Sequence, residues 1–174
     1  MLKQLRGLLR IMLALACGAI PVSVNAADAP AKPAAKQAAR QASSKQVERG
    51  RYLVMITGCN DCHTSNFLTT GGKTPEKDRL TGGELGWRGP WGTTYPVNLR
   101  LFFQDMGEEQ WIQLAKEIQR RPPMPYFSLN AMSAADLRAI YSYIRYLGPA
   151  GKAAPAFVPP DKEPPQPYVQ FPKI

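Results

Sequence analysis

Histidine is almost missing from this chain of 174 residues: His63 stands alone beside 22 lysines and arginines. Cysteine is scarce too, and of the three, Cys17 lies in a hydrophobic leader, so Cys59, Cys62 and His63 are all that remain, within five positions. A catalytic triad needs a histidine elsewhere in the sequence, and a zinc finger needs more ligands than these three. Length excludes a large multidomain enzyme, since roughly 100 to 200 residues make one domain. There is no internal repeat. The one apolar stretch near the start, Ile11 to Val24, is too short and too interrupted by Gly18 and Pro21 to span a membrane comfortably.

Residues 1–26 have the anatomy of an export signal: Lys3, Arg6 and Arg10, then the apolar stretch, then Val24-Asn25-Ala26 as a small-x-small cleavage site. An uncleaved anchor is the alternative. A lipoprotein signal at Cys17 is the other, although Ala14 stands where that signal has leucine. The formal charge of +9 falls to +6 once the three signal cations are set aside, and half of that surplus lies in residues 27–45. No nucleic-acid patch is implied. An acidic partner protein or an anionic membrane surface remains compatible with the charge.

Residues 27–45 hold no aromatic or large aliphatic side chain and read as a linker. Residues 149–174 hold eight prolines without helical period, and Phe157, Val158, Tyr168, Val169 and Phe171 predict an extended segment packed on the domain surface. The compact domain is expected over residues 46–148, with three main helices. In the last, Leu137, Ile140, Tyr141 and Ile144 share one face, Ser133 and Asp136 form a capping box, and Gly148-Pro149 ends the run. The second places Trp111, Leu114, Ala115 and Ile118 together, with Glu108 and Glu109 at its positive end. The first covers about Gln46 to Gly58. The glycine-rich stretch from Thr69 to Leu99 reads as loop, so an all-α domain is expected.

Cys59-Asn60-Asp61-Cys62-His63 is C-x-x-C-H, the attachment motif for a c-type haem. Two thiols on one turn add to the two porphyrin vinyl groups, and the next side chain lies under the iron. A thioredoxin-like C-x-x-C would need a preceding strand and a surrounding βα unit, which the pattern lacks. With His63 as one axial ligand, no second histidine exists in the chain. Methionine is the natural sixth ligand and raises the reduction potential. Among Met55, Met106, Met124 and Met132, the first is too close to the motif to reach the other ring face. Met124 is favoured because Pro122, Pro123 and Pro125 stiffen its loop, with Met132 the alternative.

Arg49-Gly50-Arg51-Tyr52-Leu53 leading into the haem motif, Gly89-Pro90-Trp91-Gly92, Asn98-Leu99, Pro123-Met124-Pro125-Tyr126 and the segment Met132 to Tyr143 together resemble a class I monohaem cytochrome c. The similarity is closest to bacterial periplasmic cytochromes related to the haem domains of dehydrogenase cytochrome subunits, and covers about 100 residues. It implies Cys59, Cys62, His63 and Met124 as the haem-binding residues, and a first helix crossing the last with Gly50 at the close approach. Relatives continue Asn-Leu with Thr-Pro-Asp where this chain has Arg100-Leu101-Phe102-Phe103. The free nitrogen of His63 is expected to donate to a backbone carbonyl, with Pro75 the candidate. Trp87, Arg88, Trp91, Tyr95 and Asn98 are candidates to bond the haem propionates, the tryptophans equally suiting core packing.

The function expected is that of a periplasmic one-electron carrier with one covalent haem c, not an enzyme, working between a periplasmic dehydrogenase or other donor and a terminal oxidase or other acceptor. It would take no small-molecule substrate. The alternatives are an open-site haem protein that binds gas or peroxide, and a fixed haem subunit of a larger oxidoreductase.

Overall fold

The computed structural model describes residues 32–172, with side chains from Ser43 onward. The export signal of residues 1–26 lies outside the described residues. The chain runs as α1 (Lys32–Ile56), α2 (Cys59–His63), a 3-10 turn at Glu76–Asp78, β1 (Gly86–Gly89), β2 (Gly92–Thr94), α3 (Leu99–Phe102), α4 (Glu108–Glu117), α5 (Tyr126–Ala131), α6 (Ala134–Leu147) and β3 (Tyr168–Gln170). The helix α1 begins inside the stretch 27–45 expected to be a linker. Its alanines, lysines, glutamines and arginine are strong helix formers, and Pro33 sits in the first turn, where its missing N–H costs no bond.

α1 and α6 cross at Gly50. A Cβ there would fall on the Ala139 carbonyl and lie within 2.7 Å of Tyr143 Cβ, so only glycine lets the backbones meet. Leu53 and Val54 of α1 join Leu137, Ile140, Tyr143 and Ile144 of α6 in the buried core. Arg49 binds Asp136 at 2.9 Å at one end of the crossing. At the other, Arg51 donates to Glu76 at 2.5 Å while Tyr143 Oη donates to the same carboxylate oxygen at 2.9 Å. Burial and that bond push the Tyr143 phenol up to about 12, so it stays a donor.

α6 starts at Ser133, whose Oγ accepts from the Asp136 backbone N–H at 3.1 Å. α4 packs against it through Trp111, which donates Nε1–H to the Leu137 carbonyl at 2.9 Å and lies tilted against Phe103 with centroids 4.6 Å apart. Arg138 reaches back to Glu108 and Glu109, at 2.7 and 2.8 Å.

The departure at Arg100-Leu101-Phe102-Phe103 forms a helical turn, α3, capped by the Asn98 side chain, which accepts from Leu101 N at 3.0 Å. Arg100 is buried with no carboxylate partner among the described residues. It donates to the Gly148 carbonyl at 2.6 Å and to those of Leu147 and Lys77, so the guanidinium satisfies carbonyls at the C-terminus of α6.

The stretch expected to be loop contains a hairpin. β1 and β2 pair antiparallel with Trp87 opposite Thr94 and Arg88 opposite Thr93, and β3 from the tail pairs parallel with β1, giving the order β2-β1-β3. The hairpin strands are too short to show alternation, and the third strand is distant in sequence, so neither left a periodic signal. The fold therefore adds a three-stranded sheet to the helices expected.

Candidate functional site

α1 ends where Gly58 takes a left-handed conformation (φ 71°), turning the chain straight into α2. On this single turn Cys59 and Cys62 stand three residues apart, hence on one face. Neither is in a disulfide. The turn is fixed from behind: Thr64 Oγ1 donates to the buried Asn60 Oδ1 at 2.8 Å and accepts from Leu80 N at 2.8 Å, while Gly82 N donates to the His63 carbonyl at 2.8 Å. Asn60 is thus a structural anchor of the motif, a role its central position in C-x-x-C-H did not announce.

His63 is buried and lies 2.8 Å through Nδ1 from the Val97 carbonyl. A carbonyl only accepts, so Nδ1 carries the proton and Nε2 keeps its lone pair. Burial also holds the imidazole below its usual range, which favours the neutral form a metal requires. Val97 therefore takes the part expected of Pro75, whose carbonyl instead accepts from Asp78 N at 2.9 Å in the 3-10 turn. Any residue type could supply this carbonyl, so sequence alone carried no signal for it. Burial raises both thiols, with Thr57 Oγ1 lying 3.3 Å from Cys59 Sγ.

Cys59, Cys62 and His63 line a cavity of about 270 Å³ walled mainly by apolar groups, among them Val54, Leu99, Phe102, Trp111, Leu129 and Ile140. Met124 and Met132 both line it as well. Met132 also packs against the hydrophobic core, whereas Met124 is a half-buried residue of the Pro122–Pro125 loop outside that cluster. Met106 packs on the core and Met55 is exposed, and neither lines the cavity. The loop is tied to the hairpin by Thr94 Oγ1, which donates to the Pro122 carbonyl at 3.0 Å.

The polar candidates divide into two groups. Trp87 and Tyr95 line the cavity, and Trp87 Nε1, Trp91 Nε1 and Tyr95 Oη are buried without a hydrogen-bond partner. Buried donors left unpaired cost roughly 1 to 3 kcal/mol each, so the two on the cavity wall, Trp87 Nε1 and Tyr95 Oη, are suited to a carboxylate acceptor, while Trp91 lies outside the lining. Arg88 and Asn98 do not belong with them. Arg88 is engaged outward with Glu163 at 2.9 Å, and Asn98 Nδ2 donates to the carbonyls of Ala150 and Lys152 at 2.8 and 3.0 Å. Sequence reasoning missed Arg120 and Arg121, exposed at the cavity edge just before the methionine loop.

Among the described residues no three His, Cys, Asp or Glu side chains cluster to hold a metal ion, and no helix is long and apolar enough to cross a membrane. The donor set for an iron porphyrin is nevertheless present: two thiols on one turn, a neutral imidazole with a free Nε2, two thioethers, an apolar wall, and unpaired donors suited to carboxylates.

No protein-family profile matches the chain, and no solved structure is a significant match. Over 125 residues, 66% of its length, the chain is 30% identical to a nicotinate dehydrogenase subunit from Pseudomonas putida. It spans about a tenth of that protein's length, so the similarity is to one part of a dehydrogenase subunit.

Proposed function

We propose that this protein is a periplasmic one-electron carrier for a single haem c, which Cys59 and Cys62 would join through thioethers and whose iron His63 and Met124 would bind. The observation that carries the reading is the convergence of both thiols, the imidazole and Met124 on one apolar cavity, with His63 Nδ1 fixed by Val97 so that Nε2 is the free nitrogen. When bound, the haem supplies the redox change, its iron passing between ferric and ferrous states.

The chain's own residues do the rest. Cys59 and Cys62 secure the ring's edge, and the Val97 bond sets the tautomer and basicity of His63. The aliphatic and aromatic wall excludes water. The indole of Trp87 and the phenol of Tyr95, unpaired on the cavity wall, would donate to the carboxylates of a bound haem. On this reading the chain acts as a carrier, its residues holding and tuning the cofactor.

A dehydrogenase is the proposed electron donor. The similarity to a dehydrogenase subunit supports this, and it equally favours a second reading, in which the chain is a fixed haem subunit of a larger complex. Co-purification with a dehydrogenase through high salt distinguishes the fixed subunit from the free carrier.

Optical spectra with and without carbon monoxide test the ligation. The oxidised protein is expected to show the weak long-wavelength sulfur-to-iron band, and the reduced protein to resist carbon monoxide. Met124→Ala should abolish the band and admit carbon monoxide, while Met132→Ala should retain the band. Loss of the band in the Met132 variant alone reassigns the ligand. A wild type that lacks the band and binds carbon monoxide at once supports the open-site alternative.

A further inference from the structure

The proline-rich tail is built into the domain through specific contacts. After Asn98 has gathered the Ala150 and Lys152 carbonyls, Val158 exchanges two backbone hydrogen bonds with Thr93, at 2.8 and 3.0 Å. Gly92, at φ 96°, admits this approach: a Cβ there would lie 2.5 Å from the Val158 carbonyl oxygen and 2.8 Å from the Phe157 ring. Phe157 in turn lies beneath the Arg121 guanidinium, 4.0 Å from ring centroid to Cζ, next to the methionine loop.

Further along, the Pro167 carbonyl accepts from Gly86 N at 3.0 Å and Phe171 N donates to the Arg88 carbonyl at 2.7 Å, which brackets the β1–β3 pairing. Arg88 is held on this outer side by Glu163 at 2.9 Å and lies over the Tyr168 ring, whose hydroxyl donates to Glu163 at 2.7 Å. The pairing delivers Phe171 against two rings, 6.1 Å from Trp87 and 5.3 Å from Trp91 in an edge-on arrangement. Those are the two indoles whose N–H groups are buried and unpaired. The last aromatic of the tail therefore packs against Trp87, a donor on the cavity wall, and against Trp91.

We infer that the C-terminal strap is a positioning element for the cofactor, with Phe171 fixing the Trp87 indole at the cavity wall and the Trp91 indole against which it also packs, and through Trp87 limiting the entry of water. The inference rests on the haem reading above and adds a role for residues 149–172. Two effects then act in the same direction. A dry site disfavours the more positively charged ferric centre, and aligned indole donors offset the negative charge of the carboxylates. Both raise the reduction potential. Phe171 is not among the residues lining the cavity, so it acts through the tryptophans it packs against.

The test compares wild type, Phe171→Ala and Phe171→Leu as full-length holoproteins. Four quantities are read: the midpoint potential, the hydrogen-exchange rate of the indole N–H groups in the reduced state, the sulfur-to-iron band of the oxidised protein, and intact mass. Phe171→Ala is expected to shift the reduced-to-oxidised ratio at fixed ambient potential roughly tenfold toward oxidised, a fall of about 59 mV for one electron. Indole exchange should accelerate while the sulfur-to-iron band and the mass of attached haem stay unchanged. Phe171→Leu, which keeps most of the volume, should recover more than half of the potential and supplies the comparison if the alanine variant does not fold. If both variants carry haem with wild-type potential and indole exchange, the strap has no positioning role and the inference is overturned while the cytochrome reading stands. A wild type with no attached haem overturns both.

Discussion

Gly50→Ala sets two effects of opposite sign against each other at the α1–α6 crossing. On an exposed helix, alanine in place of glycine stabilises by about 1 kcal/mol through backbone entropy. Here the new methyl group lands on the Ala139 carbonyl and within 2.7 Å of Tyr143 Cβ, so relief requires the two helices to separate. Overpacking of this kind costs about 1 to 3 kcal/mol, and a clash with main chain, which cannot swing away as a long side chain can, belongs at the upper end. The net expectation is destabilisation by about 2 kcal/mol. With a urea m-value of about 2 kcal/mol/M, the unfolding midpoint should fall by about 1 M. Equilibrium urea denaturation followed by far-UV circular dichroism reads this directly. A midpoint equal to or above that of the wild type would mean that the helices do not meet at Gly50, and the packing argument would fail.

Electron exchange with an acidic redox partner should slow as added salt shortens the Debye length below its physiological value of about 8 Å, and Arg120→Gln should weaken that dependence without changing the haem spectrum, since Arg120 stands exposed at the cavity edge with no carboxylate partner among the described residues. Stopped-flow rates over a salt series check it, and rates indifferent to ionic strength would show docking to be apolar. Hydrogen bonds from Arg49 and Ser133 hold the Asp136 carboxyl below its usual range, so its contribution to stability is complete above the unfolded pKa of about 3.9 and is lost as pH falls through the lower folded value. Thermal melts from pH 6 to pH 2 should therefore show a smaller acid-induced fall for Asp136→Asn than for the wild type, and parallel curves would contradict the linkage.

The elements legible in the sequence were those with a local physical signature. The i, i+3, i+4, i+7 spacing from Leu137 to Ile144, with Ser133 before it and Gly148 after it, matches α6. The Glu108-Glu109 start and the Trp111–Ala115 face match α4. The cysteines, His63 and Met124 share a cavity because the motif is local and the proline loop is brought to it by tertiary packing. The Val97 carbonyl was not legible, since a main-chain acceptor leaves no mark in composition. Nor was the sheet: β1 and β2 are too short for alternation, and β3 pairs with β1 across more than eighty residues. Arg88 and Asn98 were misassigned because the tail that engages them, at Glu163 and at Ala150 and Lys152, is distant in the chain. Charge and amide chemistry indicated that both would be bonded, and only the path of the tail decided to what.

The most direct test of the central claim is intact-mass spectrometry of the natively produced protein after extraction in acidified organic solvent, followed by thiol alkylation. Covalent attachment at Cys59 and Cys62 predicts the polypeptide mass plus one haem, with both cysteines refractory to alkylation. A mass equal to the polypeptide alone, with both thiols alkylated, would contradict the account.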